Sequence, residues 1–372
     1  YQAIGKIVLT KENFNSLPEK DKKLFIVKQY CNELDNYQWS KKVNDKVETY
    51  IGRLLELNLD TNKKECYFSQ GTELSPEKKD ELLVFTNYAP HDPSIYASHI
   101  SLKPLLQFGL YQYVNNNFKN IPWTDLTRGE KFLKFLQKIQ EIFYRIENEI
   151  ISLRYDKLKA EQQKDFPDPE NIPELKNNLN NLSKYNKEFQ KCLKKYLSST
   201  LKEYVTKRQA YALKIDGKFL HQGEYADCYI DVLYYYLFEK HYLENTKQGY
   251  CHICGQDSTL PKDISIKQKF FGTTNPLYFD NVDRSITHNA FSMCEKCNQQ
   301  VLVGIQYAST KLGTKLLGLQ TIVLPEINFE TDNSEELIDP QKLIMITKLL
   351  RRIPIDQKRN DINTLSTLIK KL

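Results

Sequence analysis

Cys251-His252-Ile253-Cys254-Gly255 and Cys294-Glu295-Lys296-Cys297-Asn298 are the two stretches that decide how this chain is read. A tight Cys-x-x-Cys turn puts two sulfurs on one side. Two such turns offer four thiolates, the donor set zinc takes in tetrahedral structural sites. Gly255 follows the first pair, where the turn needs a positive φ. After Cys297 the apolar residues Val301, Leu302, Ile305, Leu312 and Leu316 fall at helical spacing. The second pair therefore opens a helix, whose N-terminus favours thiolate charge. A knuckle, the 39 residues 255–293 and a second knuckle at a helix start predict a treble-clef-like or zinc-ribbon-like module. Cys251, Cys254, Cys294 and Cys297 are its expected ligands, for one structural Zn2+. Four cysteines leave no open coordination position, so a catalytic zinc is not expected.

The competing readings of these cysteines are disulfides or buried free thiols. Cys31, Cys66, Cys192 and Cys228 are scattered, and no export signal opens the chain. That pattern fits a reducing cytoplasm, where paired Cys-x-x-Cys spacing points to metal. His252, between two ligands, is read as a surface residue. The segment between the knuckles carries Lys262, Lys267 and Lys269, then Phe270-Phe271-Gly272-Thr273-Thr274-Asn275-Pro276. Lysines beside aromatics and a polar turn suit phosphates and base edges, with Lys267, Lys269, Thr273, Thr274 and Asn275 as the candidates. An ordinary solvated hairpin explains the same residues equally well.

Upstream, residues 212–220 read as a hairpin or strand with Asp216-Gly217 as the turn, and 224–245 as an aromatic-rich helix whose tyrosines suit a core or interface better than a base-stacking platform. From Thr127 to Lys159 the apolar residues Phe132, Phe135, Leu136, Ile139, Ile142, Phe143, Ile146, Ile150 and Leu153 form one stripe, a long amphipathic helix with Thr127 and Glu130 as a capping box. A second stripe from Leu175 to Val205 predicts an antiparallel partner. In the first hundred residues, Tyr1–Leu9, Tyr50–Leu59, Cys66–Phe68 and Leu82–Phe85 carry weak strand signals. Pro18–Lys23 and Ser75–Asp80 read as loops. The expected fold class is α+β. Its parts are a mixed N-terminal domain (1–125), a helical hairpin (126–210), the zinc module (211–329) and a C-terminal helical segment (340–372).

The chain has 372 residues, 40% hydrophobic and 27% charged, enough to bury a core and not disordered. No run of about 18 apolar residues occurs, which excludes an ordinary membrane-spanning helix. Opening on Tyr1 with only two methionines, it reads as a piece of a longer protein. The net charge of +6 is unevenly spread. Residues 184–218 hold ten basic and three acidic residues, and 341–372 hold eight and two. Such clustering favours a polyanionic partner, although a solvated helix face would look alike. Lys194, Lys195, Lys202, Lys207 and Arg208 are the candidate phosphate contacts in the first cluster. No phosphate-binding glycine loop, dinucleotide fingerprint, HExxH or GxSxG is present. His288-Asn289 before Cys294 has the look of an HNH nuclease, but the Asp-His pair that such a site needs is missing.

CHICG, KQKFFGTTNPLYFDN, AFSMCEKCNQQVLVGIQY and TIVLPEI together resemble the zinc-containing large subunit of type I-B CRISPR Cascade, over about residues 211–328. The family pattern places Gly304 in the helix after the second pair and Leu324-Pro325 at the end of a strand. The resemblance implies a subunit that is not an enzyme. It would join a complex of crRNA and other Cascade subunits in the cytoplasm, away from membranes. There it would help recognise the motif flanking target DNA, stabilise the opened DNA and recruit a helicase-nuclease. In such systems base pairing reads the target while protein reads a short flanking motif and backbone shape. An HNH-like nuclease and a generic zinc-ribbon nucleic-acid-binding protein are the alternatives.

Overall fold

The computed structural model describes residues 1–31, 38–43, 46–51, 53–74, 81–85, 96–99, 121, 123, 126–147, 150–153, 155–165, 191, 195, 210–244, 246–261, 291–316, 319–322 and 344. In chain order the helices are α1 (Gln2–Lys11), α2 (Glu19–Gln29), α3 (Leu126–Phe143), α4 (Ala160–Gln163), α5 (Ala226–Tyr234), α6 (Lys240–Leu243) and α7 (Glu295–Lys311). The strands are β1 (Gln38–Val43), β2 (Lys46–Ile51), β3 (Arg53–Asp60), β4 (Glu65–Glu73), β5 (Ser98–His99), β6 (Tyr144–Glu147), β7 (Ile150–Leu153), β8 (Tyr211–Ile215), β9 (Lys218–Phe219), β10 (Thr246–Tyr250), β11 (Asp257–Pro261), β12 (Gly313–Leu316) and β13 (Leu319–Ile322). The mixture of helices and sheets is the expected α+β class. By contacts the chain divides into one unit of Tyr1–Gln29 with Lys240–Leu372, and another of Tyr30–Glu239. The first helices thus share a unit with the cysteines.

The unit Tyr30–Glu239 is built on a sheet of order β4-β3-β8-β5, with β9 turning back on β8. β3 pairs antiparallel with β4 and parallel with β8. Leu54, Leu55, Glu56, Leu57, Asn58 and Leu59 are all buried, as a strand covered on both faces requires. Glu56 is tolerated there because the Lys214 ammonium lies 2.8 Å from its carboxylate. The β8–β9 turn falls at Asp216-Gly217 as expected, with both residues at positive φ. The Asp216 carboxylate accepts the Thr61 N–H at 2.9 Å and hydroxyl at 2.7 Å, tying this turn to the end of β3. Gln162 completes the β4 edge: its amide accepts from the Phe68 N–H and donates to the Phe68 carbonyl.

On α3 the stripe Phe132, Phe135, Leu136, Ile139 and Ile142 is buried as expected. Arg128 and Asp231 join α3 to α5 through a 2.8 Å ion pair, and Phe135 stacks on Tyr225. The helix is shorter than its stripe predicts. It stops at Phe143, and Ile146, Ile150 and Leu153 belong to the β6–β7 hairpin. β-Branched Ile146, Ile150 and Ile151 suit a strand better than a continued helix. α3 also begins at Leu126, so Thr127 sits inside the helix rather than capping it. The antiparallel second helix lies outside the described residues except for Lys191 and Lys195, both helical and exposed. The tyrosines of α5 and of the π-helical turn Tyr235–Glu239 are buried, as a core reading requires.

In the other unit, Tyr1–Leu9 is helix α1, not strand. Tyr1, Ile4 and Val8 make a helical stripe that packs with Tyr307, Ala308 and Leu312. That partner lies some three hundred residues away, so a local window shows only a short, ambiguous apolar run. Pro18–Lys23 likewise enters α2 rather than a loop. Glu19 and Asp21 sit in its first turn, where the helix dipole favours acids.

Candidate metal centre

The four sulfurs of Cys251, Cys254, Cys294 and Cys297 lie within 4.8 Å of one another. Cys251–Gly255 is a tight turn between β10 and β11. The Gly255 N–H donates to the Cys251 carbonyl at 2.8 Å, and Gly255 has φ +70° as expected. Cys294 is the residue before α7, and Cys297 lies in its first turn. The Asn298 N–H donates to the Cys294 carbonyl at 2.9 Å, closing that turn.

The knuckles are tied to each other directly. The His252 N–H donates to the Ser292 carbonyl at 3.0 Å, and the Ser292 N–H donates to His252 Nδ1 at 3.0 Å. His252 Nδ1 also lies 2.9 Å from the Ser292 carbonyl. The Cys294 N–H donates to Cys251 Sγ at 3.3 Å, and Ser292 Oγ donates to the Pro261 carbonyl. His252 is exposed, as read from the sequence, yet it works as a latch. Nothing in a lone His between two cysteines announced that role.

Beneath the sulfurs, Cys251 and Cys297 pack with Leu260, Met293, Val301 and Ile305. α7 is buried nearly all round, and Tyr242 donates its hydroxyl to the Met293 carbonyl. Where α1 crosses α7 the two backbones touch. A Cβ on Gly304 would collide with the Tyr1 carbonyl, and one on Gly5 with the Gln300 carbonyl. Gln2 Nε2 donates to Gln300 Oε1 at 2.6 Å beside this crossing. Asn298 is 1% exposed, and its Oδ1 has no hydrogen-bond partner among the described residues.

Burial pushes the Cys251 thiol up, but N–H groups of Cys254, Cys294 and Ile253 outweigh it and bring it down to about 6. Burial pushes Cys294 and Cys297 up, and neighbouring Cys251 adds to both. Four sulfurs at this spacing repel as thiolates unless a cation joins them. A zinc–sulfur bond of about 2.3 Å sets tetrahedral sulfurs about 3.8 Å apart. Cys254 Sγ and Cys294 Sγ stand 3.9 Å apart. The four cysteines thus fit the donor set and spacing of a metal ion such as zinc.

Of the expected nucleic-acid residues, Lys195 is helical and exposed. Lys194, Lys202, Lys207, Arg208, Lys267, Lys269, Thr273, Thr274 and Asn275 lie outside the described residues, as do His288 and Asn289 of the nuclease alternative. Among the described residues no helix is long and apolar enough to cross a membrane.

No curated protein and no solved structure matches the chain. Residues 248–369 match the family model of the central domain of CRISPR-associated protein TM1802. All four cysteines fall inside that stretch, about a third of the chain, and there the molecule is similar to a CRISPR-associated protein.

Proposed function

We propose that this chain is a non-catalytic large subunit of a CRISPR RNA-guided DNA surveillance complex of type I-B, with zinc held by Cys251, Cys254, Cys294 and Cys297. The observation that carries the reading is the gathering of four sulfurs inside the stretch similar to a CRISPR-associated central domain. The zinc is structural: it anchors both ends of residues 262–290 and holds the start of α7. The clustered positive charge of 184–218 supports contact with nucleic-acid backbone, and Lys267, Lys269 and Asn275 support reading of the duplex that flanks the target. The partners are crRNA, target DNA, the other Cascade subunits and a helicase-nuclease. Neither of the basic segments carries a catalytic constellation in its sequence.

The test is co-expression with a CRISPR array and the neighbouring subunits. A crRNA of defined length should co-purify with the chain. The assembled complex should bind target duplex with an affinity that falls with salt, by about 0.9 log unit per tenfold rise in salt for each phosphate contact. Lys207→Ala with Arg208→Ala should flatten that slope. Asn275→Ala and Lys269→Ala should relax the preference for one flanking motif. Magnesium-dependent DNA cleavage by the chain alone would overturn the non-catalytic reading. Purification without crRNA or other subunits would leave a free-standing zinc-ribbon protein.

A further inference from the structure

The four cysteines are not equivalent. Cys251 and Cys297 are buried at 1% and 3% exposure within the Leu260, Met293, Val301 and Ile305 cluster. Cys254 is exposed, and Cys294 is half-buried. The two less buried cysteines belong to different knuckles, and their sulfurs stand 3.9 Å apart. A disulfide needs its sulfurs at about 2.05 Å, so this pair closes with a small inward movement. The knuckles need not reopen for it: the Gly255–Cys251, His252–Ser292 and Asn298–Cys294 hydrogen bonds all use backbone groups and survive the new link. A disulfide inside either Cys-x-x-Cys would instead draw a buried sulfur out of the apolar cluster.

We propose that Cys254 and Cys294 form a peroxide-sensitive pair whose oxidation releases the metal and leaves a covalent clamp between the knuckles. The inference rests on the metal reading above. A hydroperoxide is the oxidant. The Cys254 thiolate attacks its terminal oxygen, the O–O bond breaks, and Cys254 becomes a sulfenic acid while hydroxide, or an alkoxide, departs. The Cys294 thiolate then attacks the Cys254 sulfur, the S–S bond forms and a second hydroxide leaves. Two thiolates lose two electrons in all, and one peroxide gains them. Two ligands remain, Cys251 and Cys297, too few to keep a tetrahedral ion. Accessibility sets which cysteine reacts first, as it does for redox-sensing thiols.

The experiment treats the zinc-loaded chain with hydrogen peroxide. Zinc release is followed with a chromophoric chelator, remaining thiols are alkylated, and the peptides are mapped. One zinc should leave per Cys254–Cys294 cross-link, with Cys251 and Cys297 recovered as alkylated thiols. Dithiothreitol with added zinc should restore the metal. Cys254→Ser, loaded in excess zinc, should lose metal about tenfold more slowly under peroxide. A Cys251–Cys254 or Cys294–Cys297 disulfide in the parent protein would overturn the assignment, as would zinc loss with all four thiols intact. Failure to load zinc at all would instead defeat the metal reading. The peptide map of the peroxide-treated apo chain would then still decide which pair oxidises.

Discussion

Tyr30, Tyr96, Tyr211, Tyr229, Phe85, Phe132 and Phe238 are the largest fully buried side chains among the described residues, and all lie in the unit Tyr30–Glu239. Among the described residues the cysteine-bearing unit buries its rings less deeply, with Phe14 at 8% and Tyr242 at 9% exposure. Its clusters are built from Leu260, Met293, Val301 and Ile305, and from Ile4, Ala308 and Leu312. The sheet unit is held by aromatic and aliphatic area removed from water. A core of the second kind gains from a staple, as small domains with limited apolar burial do. The difference teaches where each unit is vulnerable: one to a lost ring, the other to a lost ligand or a backbone that no longer fits.

The sharpest way to break this comparison is a chelator. Metal removal should unfold the cysteine unit and spare the sheet unit, because the binding free energy of structural zinc is folding free energy, about 10–16 kcal/mol in small zinc peptides. Limited proteolysis should then cut between residues 240 and 322 while 53–74 and 210–234 stay protected. Equal protection with and without chelator would mean the cysteines carry no load. Next in size, Phe132→Ala empties a site that is 0% exposed and should cost the sheet unit about 3–5 kcal/mol. Zinc content, measured by metal analysis, should not change; a parallel loss of zinc would mean the units fold as one. Third, Gly304→Ala puts a methyl group against the Tyr1 carbonyl, and overpacking of this kind costs about 1–3 kcal/mol. Urea unfolding should show the loss in the cysteine unit alone. Smallest is Thr61→Val, which removes one hydrogen bond to Asp216 at an exposed turn and should cost about 0.5–1.5 kcal/mol in the sheet unit.

What could be read from the sequence was what is local. The knuckles, the helix after Cys297, the Asp216-Gly217 turn and the buried stripe of α3 all depend on residues within a few positions of one another. Their spacing carries the physics directly. The misreadings share a cause. α1 looked like a strand because its partner face, Tyr307–Leu312, lies at the other end of the chain. α3 looked longer because Ile146, Ile150 and Leu153 keep a helical spacing by chance while pairing as strands. The latch from His252 to Ser292 crosses forty residues and involves a backbone amide, which no side-chain pattern reports. Gly304 was noticed only through a family likeness. Its reason is a carbonyl on another helix.

The crossing of α1 on α7 also sets a timetable. α1 is made well before the helix it must touch, Glu295–Lys311, with more than 280 residues between them. At about 5–20 residues per second, a ribosome takes about 15–60 s to travel between them. Through that interval Ile4 and Val8 have no native surface to cover them, while every residue of the sheet unit emerges in between and can fold first. The unit that holds the cysteines is completed only after the sheet unit has emerged. A chaperone has its window on α1 before then.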